Sequence, residues 1–371
     1  MNKRTLALIA TIIGSGMVVL DGFVVNLALP KIAFDMHTTF SDLQWIIDGY
    51  LLSLSALILL GGSLGDIFGR KKIYLIGLYG FTAVSLLCAL APSIDTLIAS
   101  RFLQGIFGAL LVPGGLAIIN TNFPKEERGR AIGLWSAWLA IVIPIGPVVG
   151  GYILTITTWR WIFLINLPLG LLCAFLAIRN VDESKAKTDR RLDGVGSLIT
   201  VISLAAITYG FIEAPSDHWG PKTIISLVVG FGLLPVFIWY ERRHPDPIVS
   251  LSLFKSRNFT GANLMTFAMY GALTGFTFIL PIYLQTEMGY TAFQAGLSLL
   301  PVSILMLLLS SRMGALSAEY GPRYFLTVGP FLAALAILSL INYGPGDNFY
   351  TFLIPRTLLL GVGLATLASP P

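Results

Sequence analysis

The chain has 371 residues, of which 55% are hydrophobic and 12% charged. A soluble domain carries roughly 25% charged residues, so a water-exposed globular coat is excluded and lipid must be the main solvent. The net charge of +5 does not argue for nucleic acid, because the basic residues sit between apolar stretches, where they set orientation.

The N-terminus opens with Lys3-Arg4 and an apolar run to about Leu29. A signal-peptide core is only about 7–15 residues, so this run reads as a first spanning helix. Twelve apolar segments follow one another, near 5–30, 45–65, 73–91, 97–119, 130–154, 160–178, 195–213, 222–240, 260–284, 292–313, 323–341 and 351–369. Their length and continuity predict helices, because barrel strands are about 9–11 residues long and alternate. The expected fold class is therefore an all-α integral membrane bundle. Cys88 and Cys173 both lie within apolar segments, which argues against a disulfide or metal framework.

With the N-terminus in the cytoplasm, nineteen of the 24 Lys and Arg fall on the cytoplasmic side, including Lys187, Arg190 and Arg191. Only Lys31, Arg160 and Lys222 fall outside, while Arg101 and Arg356 lie within segments. The positive-inside rule supports this orientation. Charged stretches from Arg179 to Asp193 and from Glu241 to Asn258 flank segments seven and eight. They divide the chain into a first six-helix unit (1–180), a two-helix insert with its linkers (181–258) and a second unit (259–371).

An internal repeat supports that division. Residues 62–72 read GSLGDIFGRKK and residues 314–323 read GALSAEYGPR. Gly62, Leu64, Gly69 and Gly77 recur as Gly314, Leu316, Gly321 and Gly329, each shifted by 252; Pro30 recurs as Pro281 and Arg101 as Arg356, shifted by 251 and 255. Segment one thus corresponds to nine, two to ten and four to twelve, and repeated units are common in transporters. On this plan a second unit ending at Pro370-Pro371 holds four helices, lacks its equivalents of segments five and six, and is expected to insert without transporting by itself. The simpler plan of six helices per half needs a copy of the glycine loop between segments eight and nine. The sequence there, ERRHPDPIVSLSLFKSRN from Glu241, has no glycine.

The loop GSLGDIFGRKK resembles the loop after the second helix of the major facilitator superfamily, and RFLQGIFGA from Arg101 resembles its fourth-helix motif. IPIGPVVGGYI, from Ile143 to Ile153, resembles the fifth-helix motif of its antiporters. LDGFVVNLALP from Leu20 and WRWIFLINLPLG from Trp159 look like the drug:proton antiporters with 14 helices. Two departures are visible. Val142 stands where the fifth-helix motif has glycine, and Glu319 falls one place later than Asp66 predicts. The resemblance covers nearly the whole chain. It implies a proton-coupled multidrug exporter of the plasma membrane working by alternating access, with small molecules, protons and lipid as partners.

The residues have physical readings of their own. Gly62, Gly65 and Gly69 would let the end of the second helix approach a neighbour closely. Asp66, Arg70 and Lys71 form either a simple orientation signal or a latch, with Asp66 pairing Arg70 and a helix N-terminus of the second unit. Pro144 and Pro147 among Gly146, Gly150 and Gly151 suggest a bend with close packing. Asp21, Asp48 and Arg101 are charges in the outer half of the membrane, where ionisable groups are costly and usually functional; Asp48 and Arg101 have the alternative of snorkelling to the interface. Phe267, Tyr270, Phe276, Phe278 and Tyr283 are expected to pack, or to line an apolar cavity. The sequence has no GxxxxGK[ST] phosphate loop, metal cluster or nucleophile triad, so no cofactor and no enzyme activity are expected. Uptake of a nutrient and a non-transporting sensor are the rival readings.

Overall fold

A computed structural model of the chain describes residues 2–186, 193–245 and 251–367. Lys187, Arg190, Arg191 and the chain end at Pro370-Pro371 lie outside the described residues, as does the side chain of Pro144.

The described residues are helical almost throughout. The first helices are α1 (Lys3–Met36), α2 (Phe40–Phe68), α3 (Arg70–Leu90), α4 (Ile94–Asn122) and α5 (Lys125–Ile156). Then come α6 (Arg160–Leu164), α7 (Asn166–Asn180), α8 (Gly194–Glu213) and α9 (Pro221–Glu241). The last are α10 (Arg257–Thr286), α11 (Ala292–Ser298), α12 (Leu300–Tyr320), α13 (Pro322–Leu338) and α14 (Ile354–Leu367). Ten spans among the described residues are long and apolar enough to cross a membrane; the apolar stretches Ile145–Ile156 and Arg323–Leu338 are shorter. Segments six and ten are each broken, α6 from α7 at Ile165 and α11 from α12 at Leu299.

Helix starts are set by local chemistry. Thr39 and Asp42 form a capping box at α2, and Thr291 and Gln294 form another at α11. The two boxes are 252 residues apart, the offset of the glycine repeat. Ser93 accepts from the Thr96 N–H, so α4 begins at Ile94, before the apolar segment. Arg101 is therefore well inside its helix.

The chain divides into two compact units. The first comprises the chain up to Val18, Ile32–Ser136 and Phe163–Ala262; the second comprises Val19–Lys31, Ala137–Ile162 and the described residues from Asn263 onward. In the first unit α4 packs against α2 and α3. Side chains of the start of α1, of α3 and of α7 form its apolar core, with Ala7, Ala10, Tyr74, Leu78, Phe81, Cys173 and Ala177 buried. The α8–α9 hairpin also belongs to this unit and lies on α2. Glu213 ties it there, accepting from Trp45 Nε1 at 2.7 Å and Ser41 Oγ at 2.8 Å. In the second unit α14 packs against α12 and α13 around Val302, Ala333, Ala336, Leu360 and Leu364.

Helices in lipid gain little from burying apolar surface, so they associate by close van der Waals contact between small residues. A Cβ added at Gly61 would lie 2.0 Å from the Ala109 carbonyl oxygen, and one at Gly105 would lie 2.3 Å from that of Tyr50. The second unit repeats this at Gly361, whose added Cβ would be 2.9 Å from Val302 Cα. Gly77 on α3 meets the α4 backbone, with Leu111 N 2.8 Å from an added Cβ, and Gly329 meets Gly363 O at 2.9 Å. The expected reason for Gly62 and Gly65 needs correction. A Cβ at Gly62 would make only ordinary contact with Pro113, at 3.6 Å, and one at Gly65 would be 3.9 Å from Arg70. Gly61 carries the close approach, because it is the residue on the face of α2 that meets α4.

Gly61→Ala should therefore lower the melting temperature of the detergent-solubilised protein, with an overpacking cost of about 1–3 kcal/mol. Gly62→Ala, with room for its methyl group, should leave the melting temperature unchanged or slightly higher.

Candidate functional site

Three polar features stand out against the apolar helices. The first is built on α4 in the first unit. Arg101 is fully buried and does not snorkel. Its Nε donates to the Ile46 carbonyl at 2.9 Å and its Nη1 to Gln104 Oε1 at 2.6 Å. The guanidinium carbon lies 4.2 Å from the centre of the Tyr50 ring and 5.7 Å from that of Phe163. Gln104 Nε2 donates onward to Ser85 Oγ at 2.9 Å, Asn166 Nδ2 donates to the same oxygen at 3.3 Å, and Ser85 itself donates to Phe81 O at 2.8 Å. One hydroxyl thus accepts twice and donates once, which is its full capacity. The network joins α2, α3, α4 and α7 and fixes the cation. Asp48 is half-buried on α2, two residues after the carbonyl that receives Arg101.

The second feature is in the second unit. Asp21 is 2% exposed, on the part of α1 that packs against α5. An added Cβ at Gly146 would be 3.3 Å from Leu20 Cδ1, and one at Gly150 would be 2.3 Å from Val24 Cγ1. Gly151 approaches the Ala292 carbonyl of α11 at 2.6 Å, and Gly296 of α11 approaches the Pro147 carbonyl at 2.3 Å, on the same measure. The α11 backbone therefore packs directly on the α5 backbone, while α1 fills the glycine positions of α5 with the Leu20 and Val24 side chains; α5 runs as a continuous helix through both prolines.

The third feature is the one-residue turn between α2 and α3. Gly69 has φ of +118°, and Gly321 at the equivalent turn between α12 and α13 has φ of +89°. Both values strain any L side chain. Arg70 Nη2 is 2.7 Å and its Nε 2.9 Å from Asp66 Oδ1. Lys71 Nζ donates to the Ile178 carbonyl at 2.7 Å.

Arg356 does not reproduce Arg101. Its Nε donates to Ser339 O at 3.0 Å and its Nη1 to Phe352 O at 2.6 Å, and it lies over the Phe352 ring. It is partly exposed and bonds only carbonyls, which ties α14 to the end of α13. Of the aromatic residues expected to pack, Phe267 and Tyr270 are 79% and 63% exposed. Phe276 and Tyr283 line an apolar groove of about 440 Å³ with Ile337, Ile341 and Tyr343. Burial pushes the Tyr343 phenol far above its ordinary range, and its bond to Tyr290, at 2.8 Å, adds to this.

Residues 11–371 match the Major Facilitator Superfamily. The chain belongs to that superfamily. This superfamily member is a multi-pass membrane transporter and not an enzyme. It is 37% identical to the methylenomycin A resistance protein of Streptomyces coelicolor over 96% of this chain and 74% of the relative. It is 35% identical to the multidrug resistance protein Stp of Mycobacterium tuberculosis over 92% of this chain and 64% of the relative. The riboflavin transporter RibZ of Clostridioides difficile is 30% identical over 100% of this chain and 80% of its own length. The chain thus spans between 64% and 80% of these relatives. A solved peptide transporter, POT, has the same fold, with a TM-score of 0.71 at 14% identity over 99% of this chain and 84% of that one.

Sequence reasoning did not single out Gln104, Ser85 or Asn166. Gln104 had a signal, since three residues after Arg101 it shares the same helix face. Ser85 and Asn166 had none beyond being polar in apolar runs. Gln104→Leu should remove the Gln104 acceptor from the buried Arg101 Nη1, at a cost of about 1–3 kcal/mol, while the Ser85 hydroxyl keeps its bonds to Asn166 and Phe81. A lower melting temperature than that of Gln104→Asn is the expected reading.

Proposed function

We propose that this transporter exports hydrophobic or amphipathic compounds in exchange for protons by alternating access. The observation that carries the reading is Asp21, a carboxylate 2% exposed inside a spanning helix, beside the backbone-packed glycine face of α5. A buried carboxylate exchanges its proton according to its surroundings, and intramembrane acids of this kind mark proton relays. Arg101, fixed by its network, and the half-buried Asp48 are the further proton-coupling residues in this reading. The resistance functions in the names of the Streptomyces and Mycobacterium relatives support export. No bound nucleotide is needed if the proton gradient supplies the energy.

The topology we propose has twelve spans, a cytoplasmic N-terminus, and a first unit (1–180), an insert (181–258) and a second unit (259–371). The repeated capping boxes and the paired positive-φ glycines support the correspondence of α2–α3 with α11–α13. The turn at Gly69 is then the inner gate, with the Asp66–Arg70 pair as part of its latch and Gly314, Gly321 and Arg356 as the related positions of the second unit. The riboflavin transporter among the relatives favours a second reading, uptake of a nutrient on the same fold.

Asp21→Asn should abolish substrate-induced proton flux in proteoliposomes while leaving membrane insertion intact; undiminished flux sinks the coupling role. Asp66→Asn should raise labelling of cytoplasmic-side cysteines by favouring an inward-open form, and an unchanged pattern reduces the loop to a topology signal. The sign of substrate flux in oriented vesicles separates export from uptake.

A further inference from the structure

A turn of one residue leaves backbone groups at two helix ends without helical partners. Residues 182–186, just beyond the end of α7, supply several of them. Ala186 N donates to the Asp66 carbonyl at 3.0 Å, and Arg70 N donates to the Ser184 carbonyl at 2.9 Å. Glu183 Oε1 accepts from Lys71 N and its Oε2 from Lys72 N, each at 3.1 Å. The carboxylate therefore spans the first turn of α3, where the helix dipole favours negative charge. A Cβ at Gly69 would lie 2.8 Å from that carboxylate, so Glu183 needs the glycine for space as well as the turn needs it for φ. The segment is also tied elsewhere. Lys3 Nζ is 2.5 Å from Asp182 Oδ1, and Asp182 N donates to Asn122 Oδ1 at 3.4 Å.

We infer that Asp182–Ala186 is a strap that holds the α2–α3 turn in its gating geometry, with Glu183 as the positioning residue. The inference rests on reading that turn as the inner gate. It also joins the gate to the chain leading into the α8–α9 hairpin. The physical reason for a releasable strap is its composition. The helices of this unit meet through buried backbone contacts, whereas Asp182 and Glu183 are exposed and bind through polar groups alone. Exposed hydrogen bonds with few apolar contacts are the ones that open first. Neither Asp66 nor Arg70 can move away from the strap without breaking the bonds to Ala186 or Ser184.

The test uses the reconstituted protein with spin labels at Glu126→Cys and Glu319→Cys, on α5 and α12; Cys88 and Cys173 are buried and stay unlabelled. Pulsed distance measurements report the populations of inward-open and inward-closed forms. Glu183→Gln keeps the shape and removes the charge, and should raise the open-to-closed ratio roughly five- to ten-fold. Glu183→Asp should fall between it and the parent. Ala186→Pro removes the N–H that binds Asp66 while leaving the Glu183 carboxylate in place, should shift the ratio the same way, and serves if the Gln variant fails to insert. If Asp66→Asn shifts the populations while neither strap variant does, the strap inference is overturned and the gate reading stands. If none of the three shifts them, both fall. A lower melting temperature with unchanged populations also overturns the strap, since it reduces Glu183 to a structural cap.

Discussion

Contact between helix backbones at glycine is the interaction on which the first unit depends. In lipid, apolar side chains gain little by leaving one apolar surface for another, so stability must come from contact distance. Gly61 and Gly105 bring α4 against α2, and Gly77 brings it against α3. Only at this separation does the Arg101 Nε reach the Ile46 carbonyl. The site is a consequence of the packing: larger residues at these positions would hold α2 and α4 apart and leave a buried cation without that acceptor.

The second unit uses the same device with different contents. Gly361 and Gly329 repeat the approach of α14 to α12 and α13, and Gly321 repeats the positive-φ turn. The polar lining does not repeat. Arg101 is fully buried with a side-chain amide and two aromatic rings, whereas Arg356 is partly exposed among carbonyls. A scaffold held by backbone contact tolerates this divergence, because the contacts that build it leave the polar positions free to change. The glycine face of α5 extends the principle to α11 in the second unit, and receives the Leu20 and Val24 side chains that flank Asp21 on α1.

Much of the fold was legible in the sequence. Apolar length is a local property, and among the described residues each apolar run overlaps a helix, ten of the spans being long and apolar enough to cross a membrane. The glycine repeat pointed to equivalent turns, and Gly69 and Gly321 adopt the same unusual φ region. Boundaries were less legible. Ser93 starts α4 before its apolar run, and the runs of segments six and ten conceal breaks at Ile165 and Leu299. A hydropathy pattern records solvent, not hydrogen bonding, so it passes over caps and breaks.

Of the candidate site, the sequence by itself determined which charges lie within spanning helices, since an Asp or Arg inside an apolar run is unmistakable. It also showed Gly69 and Gly321 as equivalent positions of a repeat, although the positive φ that one-residue turns impose on them appears only in the structure. Only the tertiary structure decided what those groups touch. Gln104 and Ser85 reach each other from different helices, and Glu183 reaches Lys71 and Lys72 across more than a hundred residues of chain. It also decided that Gly61, not Gly62, carries the helix contact. Such partnerships depend on which face of each helix meets its neighbour, and that is settled only when the whole set of helices packs.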